Sequence, residues 1–403
     1  MSNVLISGAG IAGPALAYWL HRHGFRPTVV ERAAEPRRGG QAVDLRGVAR
    51  DVVERMGILD LVRERHTGVR GTYQVDDRDR PVLTWPADLL GDSGGIIAEI
   101  EILRSDLARI LREATPDGVE YVFGDTVTGL VEDADGVNVT FAHGPARRFD
   151  LVVGADGVRS TVRNLAFGPD TGFLTDNGYY TAVFTTRSPV DLGGWQRMHN
   201  LVGSRMAGLY PVGDGDEARA VMMFACPPIP HDRRDVVAQR RIVADAFADA
   251  GWLVPELLNQ MSRASDFYFD RSERVSVDRW WRGRVTLLGD SLSGGSVGMG
   301  TSMAIVGAYV LAGELAAAGG DHEVAFPRYQ SALAEYVREN QKPMPGGLKA
   351  FLPRTRPGIA LRNLVSRAML AGPWRGMVTG MQAKSEAVTL RDYEGRLTTR
   401  NRR

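Results

Sequence analysis

The alternation of apolar and polar positions opens on a short apolar run, Val4 to Ile6, of the kind buried on both faces of a sheet. A glycine-rich turn follows it. A helical pattern then runs from Ile11 to His23, and Gly24 stands where a helix C-cap belongs. A second apolar run, Pro27 to Glu31, completes a strand–helix–strand unit, whose parallel strands need cover on both sides. Farther on, the pattern predicts an amphipathic helix around Val48 to Arg63 and short strands and turns over 72–97. It then predicts a strand and helix from Ile96 to Leu111, and strands over 119–143 with a turn at Asp133-Ala134-Asp135-Gly136. A buried strand, Asp150 to Val153, leads into a second glycine turn, and a short helix carrying Arg159 and Arg163 is expected after it.

From about 176 the period becomes 2. Tyr179 to Thr186, Ala207 to Val212 and Ala218 to Ala225 alternate with no helix between them, which predicts an antiparallel sheet. A helix over Val236 to Ala250 and a strand over Phe267 to Val275 follow. The buried strand Val285 to Leu288 returns to the style of the first residues, and helices over about 301–340 and 357–383 finish the chain, with a polar tail from Leu397. The fold class expected is α/β: a Rossmann-like domain with a parallel sheet, an antiparallel-sheet domain and C-terminal helices.

Composition narrows this picture. At 403 residues the chain exceeds the roughly 250–300 at which a single core stops growing, so two joined domains are expected. Basic residues (49) nearly cancel acidic ones (48), which leaves no bulk attraction to nucleic acid or a membrane surface. The single Cys226 excludes an internal disulfide framework and fits a cytoplasmic location. The seven histidines lack metal-ligand spacing, so no metal is expected. No membrane span is expected either, because the most apolar stretch, Met303 to Ala318, is broken by Gly307, Gly313 and Glu314. No G-x-S-x-G elbow supports hydrolysis.

Three constellations carry chemistry. The first is Gly8-Ala9-Gly10-Ile11-Ala12-Gly13, directly after a strand and opening a helix. Gly8 permits the turn, Gly10 admits a pyrophosphate against the backbone, and Gly13 lets helix and strand pack closely. The helix start at Ile11 and Ala12 offers free N–H groups to phosphate. Glu31, with Arg32 beside it, ends the next strand 18 residues beyond Gly13, where an acid can accept bonds from a ribose diol. The second is the strand-to-turn segment ending Gly154-Ala155-Asp156-Gly157, which by itself is also an ordinary strand–helix connection. The third is Gly289-Asp290, followed by Gly298-Met299-Gly300-Thr301 and a long helix whose positive end suits a negatively charged ligand.

Taken together, and with Leu103-Arg104-Ser105-Asp106-Leu107 between the first two, these motifs resemble the para-hydroxybenzoate hydroxylase-like (group A) FAD monooxygenases. The chain looks most like their tetracycline- and polyketide-hydroxylase branch, over nearly its whole length. The resemblance implies that Gly8 to Gly13, Glu31 and Arg32 hold the ADP half of FAD and that Arg104 reaches the phosphate and ribityl region. It implies that Asp156 serves FAD and a transient NADPH or NADH, and that Asp290 binds the ribityl chain. Gly298, Gly300 and Thr301 would face the flavin ring at N1 and O2, and Arg46 is a further expected cofactor contact. The implied domains are 1–71, 98–170 and 277–345 for FAD, 72–97 and 171–276 for substrate, and a helical segment at 346–395.

The implied reaction is hydroxylation, with O2, of an apolar aromatic or polyketide-like small molecule through a flavin C4a-hydroperoxide, by a monomer or dimer. The family needs no nucleophilic side chain, so no catalytic residue is assigned. Among the aromatic and methionine positions at strand spacing, Tyr179, Tyr180, Phe184, Met206, Tyr210, Met222 and Phe224, about half would roof the substrate cavity. The chain departs from the family at Ser291-Leu292-Ser293-Gly294-Gly295-Ser296-Val297, which is glycine-rich and without the usual proline, and so is expected to be loose. That departure leaves a redox-neutral cyclase or another natural-product tailoring enzyme on the same scaffold as the alternative, and a non-enzymatic flavin-binding protein as a third reading.

Overall fold

β1 (Asn3–Ser7) has Val4, Leu5 and Ile6 with no exposed surface, as a central strand of a covered sheet requires. The computed structural model describes residues 2–36, 40–87, 100–213, 215–296, 298–342, 346–370 and 388–393. Arg37 and Arg38, the start of the strand expected from Ile96, Val297, the end of the helix expected to reach 383 and the tail from Leu397 lie outside them.

α1 (Ala12–Arg22) and β2 (Arg26–Glu31) complete the first unit, and Gly24, at φ +86°, ends the helix as expected. β3 (Ala42–Leu45) leads to α2 (Val48–Arg55) and α3 (Leu59–Glu64). The one helix expected here is therefore two, because Gly57 adopts φ +74° and stops the first. β4 (Gly71–Val75) and β5 (Pro81–Pro86) form a hairpin. β6 (Ile100–Leu103) feeds α4 (Arg104–Glu113), and β7 (Glu120–Phe123) follows. β8 (Val127–Asp133), β9 (Gly136–Phe141) and β10 (Arg147–Phe149) make a small antiparallel sheet. β11 (Leu151–Gly154), wholly buried, then precedes α5 (Thr161–Phe167). Arg163 lies on α5 as expected, but Arg159 stands before it, because Ser160 is the N-cap and accepts from the Arg163 N–H.

The alternating section yields β12 (Leu174–Arg187), β13 (Trp195–Leu201), β14 (Arg205–Pro211) and β15 (Glu217–Ala225). α6 (Val236–Ala246) and α7 (Val254–Met261) cover them, and β16 (Tyr268–Val275) closes the sheet. β13 and α7 were not visible in the sequence pattern. β17 (Trp281–Arg282), β18 (Val285–Leu287), α8 (Asp290–Ser293), α9 (Gly300–Ala317), α10 (His322–Asn340), α11 (Gly347–Phe351) and α12 (Arg356–Leu370) complete the order.

Two large sheets result, giving the α/β class expected. The first, in the order β17-β18-β11-β1-β2-β7, is parallel except where β17 meets β18. The second, β16-β12-β15-β14-β13-β4-β5, is antiparallel except at β13–β4. A ribbon of β3 and β6 joins them: the Ala42 N–H donates to Tyr210 on β14, and Ser302 on α9 accepts from the Arg46 N–H. α9 is apolar on all sides and packs against α1, α2 and α10. It is long and apolar enough to cross a membrane, but 78% of it is buried inside this fold.

Candidate active site

The three glycines after β1 answer to different constraints. A Cβ on Gly8, which sits at φ +111°, would come 2.4 Å from the Ala155 carbonyl oxygen, and one on Gly13 would come 1.9 Å from the Gly8 carbonyl oxygen. Both are excluded by backbone. A Cβ on Gly10 would meet only Arg104 Nη2, at 3.9 Å, so open space lies between that backbone and the guanidinium. Ile11 and Ala12 start α1 there, with no acid in the first turn and no side-chain cap among the described residues. The first N–H groups are therefore presented to that space. Arg104 begins α4, and its Cβ lies beside the Gly40 turn. Glu31 reaches back from the end of β2: its carboxylate accepts from Ala9 N–H at 2.9 Å and Ala33 N–H at 3.0 Å. Arg32, next along, is exposed.

Asp156 follows β11 and is half-buried. It accepts from the Thr161 and Val162 N–H groups at 2.8 and 3.1 Å, from Ser160 Oγ and, at 3.4 Å, from Ser7 Oγ. Its carboxyl thus caps α5, and burial pushes its pKa up against the pull of those bonds. What it offers a ligand is the placement of the turn, since its own oxygens are engaged by the helix.

Asp290 opens α8 behind Gly289, which sits at φ +65° and at which an added Cβ would come 3.0 Å from Ala12 Cβ, so the acid follows a turn packed beside the start of α1. Asp290 Oδ1 also lies 3.5 Å from where a Gly300 Cβ would be, so it reaches the first turn of α9. Gly300 and Thr301 form that turn, which has no acid and, among the described residues, no side-chain cap. Gly298, at φ +75°, leaves room for Asp44 Oδ2, at 3.3 Å from its missing Cβ, with Arg46 Nε at 3.9 Å. Arg46 is buried and bonds Asp44 at 2.9 Å. The structure therefore gathers Gly8, Gly10, Ile11, Ala12, Gly13, Glu31 and Arg104 at one end of a crevice and Asp290, Gly298, Gly300, Thr301 and Arg46 at the other. Gly289 against Ala12 links the ends, while Asp156 stands behind and Arg32 outside.

The loop after Asp290 corrects the expectation of looseness in its described residues. A Cβ on Gly295 would come 2.4 Å from the Glu273 carbonyl oxygen, and one on Gly294 would come 2.8 Å from both the Asp290 oxygen and Val158 Cγ2. Val275 N–H donates to the Gly294 carbonyl at 3.0 Å, and buried Arg163 donates to the Ser291 carbonyl at 2.8 Å. These glycines permit close packing on β16, not freedom.

The antiparallel sheet divides the aromatic positions by face. Tyr180, Phe184, Met222 and Phe224 pack with Phe247, Val254 and Leu257 of the covering helices. Met206 and Met223 face the other way, with Tyr179, Met198, Val221 and Leu352 around them. Tyr210 shares that inner face, since its hydroxyl meets Ala42 of the ribbon, and it pairs across strands with Arg219. Sequence reasoning missed Glu101, Thr67 and Gln196, which form a buried hydrogen-bonded group beside Asp44. The only signal was one acid inside the apolar run Ile100-Glu101-Ile102-Leu103.

Two helix N-termini, an arginine above an open glycine and strand-end carboxylates make a donor and acceptor set that fits the phosphates and hydroxyls of a dinucleotide. The FAD binding domain family matches residues 1–331. An uncharacterised protein of Mycobacterium tuberculosis is 44% identical over 344 residues, spanning 85% of this chain and 92% of its own. A flavin-dependent monooxygenase of Legionella longbeachae is 33% identical over 97% of this chain and 98% of its own. The crystal structure of the tetracycline destructase Tet(51) superposes with a TM-score of 0.83 at 32% identity, covering 98% of this chain and all (100%) of that one. With the crevice, the two-sheet architecture and these relatives in agreement, the chain belongs to the FAD binding domain family and is an FAD-dependent monooxygenase of the group A type.

Proposed function

We propose that this enzyme consumes NADPH or NADH and O2 to hydroxylate an apolar aromatic or polyketide-like small molecule. The observation that carries the reading is the meeting of the α9 N-terminus with the inner face of the antiparallel sheet, across the β3–β6 ribbon. That face is apolar and rich in methionine, at Met198, Met206 and Met223. Methionine adapts to flat, irregular ligands. The likeness to Tet(51), described as a tetracycline destructase, supports a polycyclic substrate.

When bound, FAD supplies the redox and oxygen chemistry, one oxygen atom passing to substrate and the other leaving as water. The chain's own residues bind and orient. The N–H groups at Ile11 and Ala12, with Arg104, would hold the diphosphate; Glu31 would take the ribose and Asp290 the ribityl hydroxyls. The uncapped start of α9 at Gly300 and Thr301 would favour negative charge at the ring end. Arg46, held by Asp44 in a pair with no net charge, would turn guanidinium N–H groups toward that end. Residues 72–97 and 171–276 would supply the substrate side and 1–71, 98–170 and 277–345 the cofactor side. No separate nicotinamide fold is needed if the reductant enters the shared crevice transiently. The redox-neutral alternative drew its motive from the altered, proline-free loop after Asp290; the close packing of Gly294 and Gly295 supports a held loop and so favours the hydroxylation reading.

The test is made on purified protein with a tetracycline-type polycyclic phenol. Retained yellow FAD, substrate-stimulated NADPH or NADH oxidation and matching O2 uptake are expected. Conversion that needs neither reductant nor O2 would overturn hydroxylation in favour of the cyclase reading.

A further inference from the structure

Glu101 belongs to none of the motifs that mark the crevice. It lies in β6 between Ile100 and Ile102, and all three are buried. The register sets it directly opposite Asp44 on β3. Like charges on a directly opposed pair repel, and more strongly away from water. Asp44 in turn bonds Arg46, whose main chain is fastened to Ser302 in the first turn of α9.

On its other side the carboxyl is tied to the second sheet. Thr67 Oγ1 donates to Oε1 at 2.9 Å, and Gln196 Nε2, on β13, donates to Oε2 at 3.1 Å. Gln196 also accepts from Thr72 on β4 at 3.0 Å. Tyr210 faces the same region from β14, so among the described residues Asp44, Arg46 and Tyr210 are the ionisable groups that act on or face Glu101. Glu101 is the knot between the ribbon that carries Arg46 to the cofactor and the sheet that faces the substrate.

We propose that Glu101 is a positioning residue whose protonation state governs how the Asp44–Arg46 pair is presented to the ring end of FAD. Burial first, and then the Asp44 charge, raise its pKa to about 7, against the opposing pull of Thr67, Gln196 and Arg46. A neutral Glu101 leaves Asp44 and Arg46 paired. An ionised one repels Asp44, competes for Arg46 and adds negative charge behind the start of α9. Affinity for FAD therefore falls as pH rises through about 7.

The full-length apoprotein is titrated with FAD at constant ionic strength, from about pH 5.5 to 9, and binding is read from flavin fluorescence. In the native protein Kd should rise about tenfold through a single one-proton transition. Glu101→Gln, which imitates the neutral form, should show no transition and keep a Kd within about twofold of the native acid value. Thr67→Val, which deletes a donor to the ionised form, should move the midpoint upward. A native Kd independent of pH, or an unchanged midpoint in both variants, would overturn the proposal. The inference rests on the cofactor alone. With no reductant, O2 chemistry or substrate in the measurement, its failure is separate from any failure of the hydroxylation reading.

Discussion

Gly10 and Gly13 share a motif but predict opposite phenotypes. A methyl group at Gly10 touches only the tip of Arg104, whereas one at Gly13 collides with the Gly8 carbonyl oxygen. Gly10→Ala should therefore leave the urea midpoint of the apoprotein nearly unchanged and weaken FAD binding by about tenfold or more, as a close backbone approach to phosphate is lost. Gly13→Ala should lower the unfolding free energy itself, by about 1–3 kcal/mol, and with it the midpoint, before any ligand is added. Glu101 gives a second contrast at this scale. Its pKa is raised in the folded chain, from 4.5 to about 7. The unfolded chain releases that proton first, so the associated stability is complete below about 4.5 and is lost as pH climbs to about 7. Chemical denaturation of apoprotein across that window should show the native chain losing stability relative to Glu101→Gln. An identical pH profile for the two would contradict it.

At the scale of elements, a glycine in the sequence does not announce its reason. Gly57 and Gly295 both have positive φ, at +74° and +87°. The space around Gly57 is open, while Gly295 is pressed against β16. Gly57→Ala should cost about 1 kcal/mol from backbone strain alone, and Gly295→Ala distinctly more, with detachment of the loop that follows Asp290. Thermal unfolding of the two variants checks the order. The same limitation hid β13. Its residues Gln196, His199 and Asn200 are polar yet buried, because each has a partner from another element: Glu101, the Val75 carbonyl and the Phe351 carbonyl. Alternation cannot register a strand whose polar side chains find partners inside. The βαβ opening was legible because its helix and strands are mostly apolar on their buried faces, with Ser7 and Thr28 the buried polar residues of its strands, and because its turn geometry demands glycine.

For the whole molecule, the resemblance located the family and both ends of the crevice, but not what ties the two sheets together. That join depends on contacts far apart in sequence, such as Ala42 with Tyr210 and Thr67 with Glu101 and then Gln196. The C-terminal residues supply another. Tyr393 lies over Gly313 of α9, its ring 2.3 Å from where a Cβ would stand, and its hydroxyl donates to buried Glu314 at 2.7 Å. Tyr393→Phe should leave the ring packed but take away that carboxylate's hydrogen bond, leaving it the ion pair with Arg391 at 3.7 Å, and cost about 1–3 kcal/mol, readable as a lower melting temperature with FAD spectra unaltered.

The order of strands in the parallel sheet also has a consequence for biosynthesis. β11 lies between β1 and β18, and β18 is completed only at residue 287. A nascent chain released before that point leaves the edge of β11 unpaired and lacks the α9 turn that begins at Gly300. Such an edge is a template for aggregation, and pairing across so long a separation is slow. The chain must therefore emerge past residue 300 of 403 before its cofactor can help to hold it together, and expression under riboflavin limitation is expected to lower the yield of soluble protein, as a comparison of soluble and pelleted fractions would show.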